Sequence, residues 1–146
     1  MRKMLFLMAL LLLPSIAFGG DLKPLTIDGC SVFPDGTLAH RSLWADCCIK
    51  HDIAYWQGGT CDDRLNADNA LKQCVSKVGN PKIAKIMLAG VRVGGSPYLP
   101  TKFRWGYGWP YLRGYMQLTE EEKLEVKNEL VSLKILLKSI LEELEP

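Results

Sequence analysis

The sequence lacks an apolar run long enough to span a membrane, and it contains no internal repeat and no low-complexity linker. Its long apolar run covers only residues 4–13, whereas a spanning helix needs roughly 20 apolar residues. Arg2 and Lys3 precede this run, and a proline and several small residues follow it. This order is typical of a secretory signal peptide. We therefore expect residues 1–19 to be cleaved near Gly19 and the chain to be secreted or periplasmic.

The chain also lacks an even number of cysteines. It has five, so at least one must stay free or pair with another chain. An exported protein folds in an oxidising compartment, where the adjacent Cys47 and Cys48 are expected to form disulfides rather than to bind a metal. Buried free thiols are the alternative interpretation of this pair, and export disfavours it.

Acidic residues are absent from residues 81–118, which contain six basic ones. The preceding stretch, residues 20–80, has six basic and eight acidic residues, whereas residues 119–146 have four basic and eight acidic ones. Without the signal peptide, 16 basic residues balance 16 acidic ones. We interpret residues 20–118 as one small domain, which disulfides would reinforce, and residues 119–146 as a separate C-terminal segment.

Two helices joined by a short glycine-containing turn are predicted in the first half of the domain. Ser42 is a favourable N-cap for a helix that ends near Gln57, where two glycines permit a left-handed stop. Thr60 and Asp63 match a capping box for the second helix. An apolar stripe follows at helical spacing, formed by Ala67, Leu71, Cys74, Val75 and Val78. The short connection predicts that the two helices run antiparallel as neighbours.

Four polar residues on these helices are candidates for catalysis. His51 and Tyr55 are four residues apart and share one face of the first helix, although Tyr55 also fits a purely structural core position. Asp68 lies at the edge of the face that the second helix buries, and a buried carboxylate needs a partner. Asp52 points elsewhere, about 100° further round the helix. We therefore expect Asp68 to orient His51 and Asp52 to serve another role.

This division of roles suits hydrolysis by water. A neutral imidazole accepts a proton from water, and a carboxylate on its other ring nitrogen fixes the tautomer and stabilises the imidazolium. Asp52 is then available to hold a cation, and Ca²⁺ fits a site built only of oxygen ligands. The loop DGCSVFPDG, residues 28–36, can supply backbone carbonyls. If Cys30 bonds Cys48, this loop lies one turn from His51.

The segment CCIKHDIAY, residues 47–55, resembles the active-site helix signature of secreted phospholipase A2. The loop DGCSVFPDG resembles the calcium loop of the bacterial and fungal branch of that superfamily, so the similarity covers residues 28–78. The resemblance implies that His51 is the general base and that Asp68 and Tyr55 support its imidazole.

The resemblance further implies calcium as the cofactor and two disulfides. Asp52 would be a side-chain ligand of the ion. Backbone oxygens near three loop residues would complete the shell, namely Asp28, Gly29 and Cys30. The implied disulfides are Cys30–Cys48 and Cys47–Cys74. Cys61 is then left over, and it is either free or paired with another chain.

A mainly α, disulfide-linked fold built on an antiparallel helix pair is what the resemblance implies. The implied function is that of a secreted, calcium-dependent hydrolase that cleaves the sn-2 ester of glycerophospholipids to a fatty acid and a lysophospholipid. Two alternatives remain open. One is a noncatalytic lipid- or protein-binding module on the same scaffold, and the other is a heptad-mediated structural oligomer.

Aromatic and basic residues are interspersed in a glycine-rich segment, residues 90–115. Among them are Trp105, Tyr107, Trp109, Tyr111 and Tyr115, together with Arg92, Lys102, Arg104 and Arg113. Such a mixture fits core packing, an anionic lipid surface or a nucleic acid. Because the helix pair carries residues suited to hydrolysis rather than to recognition of nucleotide bases, we favour a phospholipid membrane surface over nucleic acid as the partner.

The C-terminal segment is predicted to form a long amphipathic helix. Thr119 and Glu122 match a capping box. Apolar residues then recur at alternating steps of four and three, at Val126, Leu130, Leu133, Leu137, Ile140 and Leu144. This heptad stripe fits a helix folded back on the domain and a homo-oligomer equally well.

Overall fold

A computed structural model describes residues 21–145, so the predicted signal peptide and its cleavage site lie outside the described residues. Within that range the chain forms four α-helices and no β-strand. They are α1 (Ala45–Gln57), α2 (Cys61–Val78), α3 (Pro81–Gly94) and α4 (Glu120–Leu144). The predicted mainly α class is therefore confirmed. None of these four helices combines the length and the apolar character needed to cross a membrane.

The predicted N-cap of α1, Ser42, is wrong, because the preceding loop holds Trp44 and the helix begins only after it. The Trp44 indole Nε1 donates to Pro34 O at 2.7 Å, and the Trp44 backbone N–H donates to Asp35 O at 3.0 Å. No side chain caps this end of the helix. The other end stops as predicted, since Gly58 has a φ of 68°.

Helix α2 starts with the predicted capping box, in which Thr60 Oγ1 accepts from the Asp63 N–H at 3.2 Å and the Asp63 carboxylate accepts from the Thr60 N–H at 2.9 Å. The contacts between α1 and α2 follow opposite sequence order, from Cys47–Cys74 through His51–Asp68 to Tyr55–Arg64. The two helices are therefore antiparallel, as predicted. Leu71 and Val75 are buried, whereas Val78 is exposed at the end of α2, against the prediction.

Helix α3 was not predicted from the sequence. Asn80 caps it by accepting from the Lys82 N–H at 2.8 Å, and Pro81 lies in the first turn, where a missing N–H removes no helical hydrogen bond. Ala84 and Met87 are buried, and α3 packs against α2. The main core consists of Trp44, Cys47, Cys48, Leu71, Val75, Ala84 and Met87. Helix α3 thus forms the third side of the domain.

The aromatic and basic segment folds onto the C-terminal end of α1. The indole N–H groups of Trp105 and Trp109 donate to the carbonyl oxygens of Gly59 and Gln57, at 2.9 and 2.8 Å. The backbone N–H groups of Gly106 and Gly108 donate to the carbonyl oxygens of Tyr55 and Trp56, at 2.7 and 3.1 Å. The carbonyls of Tyr55, Trp56 and Gln57 are among those that a helix end leaves without helical partners, and Gly59 lies in the turn that follows. Trp105 and Trp109 are almost fully buried. Core packing is therefore the correct interpretation for both tryptophans, and their rings are not available to a lipid surface.

The first half of α4 packs on the domain. Its predicted capping box is present, and Arg113 donates to both carboxylate oxygens of Glu122, at 2.6 and 2.7 Å. Val126 is buried in a cluster with Trp56 and Trp109. A helix folded back on the domain is therefore the correct interpretation for the first half of α4. In the second half, Leu133 is half-buried and the apolar side chains from Ile135 onward are exposed.

Candidate active site

One carboxylate in the contact between α1 and α2 joins two side chains of α1. Asp68 is fully buried, and its Oδ1 lies 3.0 Å from His51 Nε2 and accepts from the Tyr55 hydroxyl at 2.7 Å. The rings of His51 and Tyr55 are also in contact, with their centroids 4.1 Å apart. The structure thus brings together three of the four candidate residues, namely the two side chains that the sequence assigned to the histidine site and the acid expected to orient it.

The contact with Asp68 determines which ring nitrogen of His51 carries the hydrogen. An ionised carboxylate accepts hydrogen bonds and does not donate them, so Nε2 carries the hydrogen. Nδ1 then keeps its lone pair. His51 lines a pocket although only 9% of its surface is exposed. A general base needs this combination of one ring nitrogen held in place and one ring nitrogen able to accept a proton.

Two arginines face the second oxygen of Asp68. Arg92 Nε lies 2.9 Å from Asp68 Oδ2 as an ion pair, although the angle between them is unsuitable for a hydrogen bond. Arg64 Nε lies 3.9 Å from the same oxygen. Neither arginine was identified from the sequence. Arg64 carried a usable signal, since it precedes Asp68 by one turn of α2, whereas Arg92 lies on the unpredicted α3.

Arg64 connects the carboxylate to the rest of the domain. It donates to the Tyr55 hydroxyl at 3.1 Å, to the Tyr115 hydroxyl at 2.6 Å and to two carbonyl oxygens near the end of α3, Val91 O at 2.9 Å and Arg92 O at 2.8 Å. Burial raises the pKa of Tyr55 above its usual value in spite of the bond from Arg64. Tyr55 therefore stays protonated and remains a donor to Asp68.

Asp52 lines the same pocket as His51, and its Oδ2 is buried without a hydrogen-bond partner among the described residues. Burial, followed by repulsion from Asp28, raises the pKa of Asp52 to about 7. Asp35 adds to this repulsion, whereas a hydrogen bond from the backbone of Asp28 lowers the pKa of Asp52. A cation at this position would offset both the lost hydration and the repulsion between the acids.

The loop beside Asp52 is fixed by covalent and polar contacts. The implied Cys30–Cys48 disulfide is present and links the loop to α1, and Asp35 Oδ1 accepts from the Cys30 N–H at 2.8 Å. Gly29 has a φ of 72°, and a Cβ at this position would collide with the Asp35 carboxylate. Gly29 and Cys30 line the pocket together with Asp52. The loop predicted to bind calcium therefore lies beside the acid predicted to bind it.

A pocket of about 220 Å³ opens at His51 and Asp52. Its mostly apolar wall includes Phe33, Leu71, Ile86, Met87, Val91 and Phe103. Tyr107 also lines it and donates to Thr26 O at 2.6 Å. Burial, with a smaller effect of the Asp52 charge, raises the pKa of Tyr107 to about 12. The pocket therefore combines an apolar wall with two candidate catalytic groups.

A second group of potential metal ligands lies elsewhere in the described part of the chain, at Asp46, Cys47 and Cys74. Cys47 and Cys74 form the other implied disulfide, so neither sulfur is a thiolate that could bind a metal. Cys61 is exposed and belongs to neither disulfide. This group therefore does not compete with Asp52 as a metal site.

The site offers a histidine held by a buried acid, a second acid with one oxygen unpaired among the described residues, and an apolar pocket beside both. No protein-family model, curated protein or solved structure matches the chain. The function must therefore be inferred from these residues themselves.

Proposed function

We propose that the chain is an exported, calcium-dependent phospholipase A2-like hydrolase that cleaves the sn-2 ester of glycerophospholipids to a fatty acid and a lysophospholipid. One observation carries the proposal: the imidazole held by Asp68 and the Asp52 carboxylate, whose Oδ2 has no hydrogen-bond partner among the described residues, open into the same apolar pocket. The imidazole can activate water, the carboxylate can hold a cation, and the pocket can accept an acyl chain.

His51 is the general base of the proposed reaction. Its Nδ1 takes a proton from a water molecule while the water oxygen attacks the ester carbonyl carbon, and Asp68 stabilises the resulting imidazolium through Nε2–H. Tyr55 donates to the same oxygen of Asp68 at 2.7 Å and so holds the carboxylate against the ring. When the ester C–O bond breaks, the proton on Nδ1 passes to the leaving oxygen of the lysophospholipid.

Calcium fits the oxygen atoms around Asp52. The Asp52 carboxylate and the backbone oxygens of Asp28, Gly29 and Cys30 would hold the ion, and Ca²⁺ prefers such oxygen ligands. The unpaired Oδ2 and the pKa near 7 indicate a buried carboxylate that lacks a positive partner. When bound, Ca²⁺ would supply the positive charge that polarises the ester carbonyl and stabilises the oxyanion.

Exposed apolar residues near the pocket suit a lipid substrate. Val32 and Ile86 line the pocket but are largely exposed, and Val93 is exposed on the same helix as Ile86. Lys82 and Lys85 add positive charge to a stretch that has no acidic residue. We therefore propose a phospholipid membrane surface as the partner. Nucleic acid is not favoured, because Trp105 and Trp109, on which bases would stack, are buried.

Product release from mixed phospholipid vesicles tests the proposed function. The purified, oxidised chain should release fatty acid and lysophospholipid in equal amounts, and only when Ca²⁺ is present. His51→Gln should abolish this release, whereas the matched change His40→Gln, at the exposed second histidine of the chain, should leave it intact. Vesicle binding without release of either product would support the noncatalytic lipid-binding module and refute hydrolysis.

A further inference from the structure

Helix α3 has a glycine in its interior on the side that faces the pocket. Ile86, Met87, Gly90, Val91 and Gly94 line the pocket from this helix. Gly90 lies one turn before the last residue of α3, and glycine is less favourable in a helix interior than any residue except proline. At this position the bare backbone therefore forms the pocket wall, at a cost to the helix.

Neither the backbone conformation nor the packing of the described residues requires a glycine at this position. Gly90 does not have a positive φ, and a Cβ built on it would meet nothing within 4 Å. Gly95 is the contrasting case, because its Cβ would lie 2.4 Å from the Tyr55 ring. The missing side chain of Gly90 thus leaves open space in the pocket and makes no room for another part of the chain.

The pocket opens to solvent along this face of α3. Gly94 is half-buried, Gly90 is exposed and Ile86 is 60% exposed, whereas His51, which lines the same pocket, is almost fully buried. An ester carbonyl beside His51 would therefore direct its acyl chain outward along α3. Ile86 and Gly94 are eight residues apart, or about 12 Å along the helix axis, so this face is long enough for several methylene groups.

We propose that Gly90 is a specificity-determining residue, which keeps a channel open along α3 for the acyl chain and so makes the site prefer long chains to short ones. This inference rests on the proposed function and adds the part of the substrate that is selected. None of the α3 residues that line the pocket has a polar side chain, so an alkyl chain leaves no polar side chain unpaired there. Gly90 also lies outside residues 28–78, which carry the resemblance to secreted phospholipase A2.

Binding of unbranched alcohols to the purified, oxidised chain, measured by calorimetry, tests the channel without requiring hydrolysis. Uncharged alcohols avoid repulsion from Asp52. We expect affinity to rise about fourfold with each added methylene group from 1-hexanol to 1-decanol. Gly90→Leu should lower the affinity for 1-decanol at least about tenfold. It should lower the affinity for 1-hexanol less, because the leucine would fill a part of the channel that the shorter ligand does not need.

Ala89→Leu is the matched control, because Ala89 is exposed on the same helix and does not line the pocket. It should leave both affinities unchanged. Gly90→Leu should not lower the free energy of unfolding in urea, since leucine favours a helix more than glycine does. Gly90→Ala adds a smaller side chain and should give a smaller loss of 1-decanol affinity. A parent chain that binds neither alcohol, or equal losses for the two alcohols, would overturn the proposal.

Hydrolysis of two phosphatidylcholines in the same detergent micelles, with Ca²⁺ present, tests the selection. One carries a decanoyl chain and the other a hexanoyl chain at the sn-2 position. The ratio of decanoate to hexanoate released should fall at least about tenfold in Gly90→Leu, and Ala89→Leu should keep the parent ratio. An unchanged ratio in an active Gly90→Leu chain would refute the selection and leave the proposed function intact. A chain that hydrolyses neither lipid, yet loses 1-decanol affinity with Gly90→Leu, would refute the proposed hydrolysis and support the channel.

Discussion

Replacing Asp68 with asparagine removes one charge from the centre of the candidate site while keeping the side-chain size. Oδ1 of Asp68 faces His51 and Tyr55, and Oδ2 faces Arg92 at 2.9 Å and Arg64 at 3.9 Å. The amide nitrogen of the asparagine must take one of these two positions. It would then face either a ring nitrogen that requires an acceptor or two guanidinium groups.

Each orientation of the amide has a calculable cost. If the amide nitrogen faces His51, the ring hydrogen moves to Nδ1, and the imidazole can no longer take a proton from water. In the serine protease triad, the corresponding loss of the correct tautomer lowers kcat about 10⁴-fold. In either orientation two cations, Arg92 and Arg64, lose their counter-charge, and breaking a buried ion pair costs about 3–5 kcal/mol. Because Arg92 is 33% exposed, we expect the lower end, about 3 kcal/mol. An amide nitrogen that faced these arginines would also set one donor against other donors, so we expect it to face His51.

Three measurements on Asp68→Asn check this reasoning. We expect hydrolysis to fall at least 10³-fold and the free energy of unfolding in urea to fall by about 3 kcal/mol. Long-range ¹H–¹⁵N spectra report the tautomer directly, because the chain has only two histidines. Asp46→Asn is the matched control, since Asp46 is exposed in an ion pair with Lys50 on the same helix as His51, and it should change each quantity little.

A second substitution separates the electrostatic effect from the tautomer effect. Adding Arg92→Gln to Asp68→Asn removes one uncompensated cation, so part of the lost stability should return while hydrolysis stays low. The reasoning would be refuted if Asp68→Asn kept activity within tenfold of the parent chain with an unchanged His51 spectrum.

Three other changes give separate tests. Asp52→Asn should lower Ca²⁺ affinity at least 100-fold by calorimetry, because a hard cation loses its charged ligand; unchanged affinity would place the ion elsewhere. Gly95→Ala should lower the free energy of unfolding by about 1–3 kcal/mol, because the new Cβ would lie 2.6 Å from the Tyr55 hydroxyl. Gly90→Ala is the control, since its Cβ would meet nothing within 4 Å, and it should not lower the free energy of unfolding. Equal losses in the two variants would contradict this close contact. Arg113→Ala removes both hydrogen bonds to α4 and should speed amide hydrogen exchange in the first turns of that helix; unchanged exchange would show that the ion pair does not hold it.

The helix pair could be predicted because its signals lie close together in the sequence. The capping box of Thr60 and Asp63 spans one turn, and the glycines that end α1 adjoin it. Local signals also placed the capping box of α4 correctly. Helix α3 has a comparable local signal in Asn80, which caps its first turn, and the proline that follows, although it was not among the predicted helices.

Features set by distant contacts could not be read from the sequence. The start of α1 depends on Trp44, whose indole binds the carbonyl of Pro34, and this contact overrides the local preference for Ser42 as the cap. The ion pair between Arg92 and Asp68 joins α2 and α3, so no sequence spacing reveals it. Local patterns therefore identified the residues of the proposed base, while its electrostatic surroundings required the folded chain.

The donors that cover the end of α1 also determine how early the candidate site can form. The Trp109 indole that binds Gln57 O comes 52 positions later in the sequence, and Gly106 supplies the donor for Tyr55 O. A chain still being synthesised, and not yet extended to residue 109, lacks these donors, so the last turn of α1 remains frayed. Tyr55 stands in that turn. The support that Tyr55 gives to Asp68 therefore depends on residues that enter the chain only after α1 and α2 are complete.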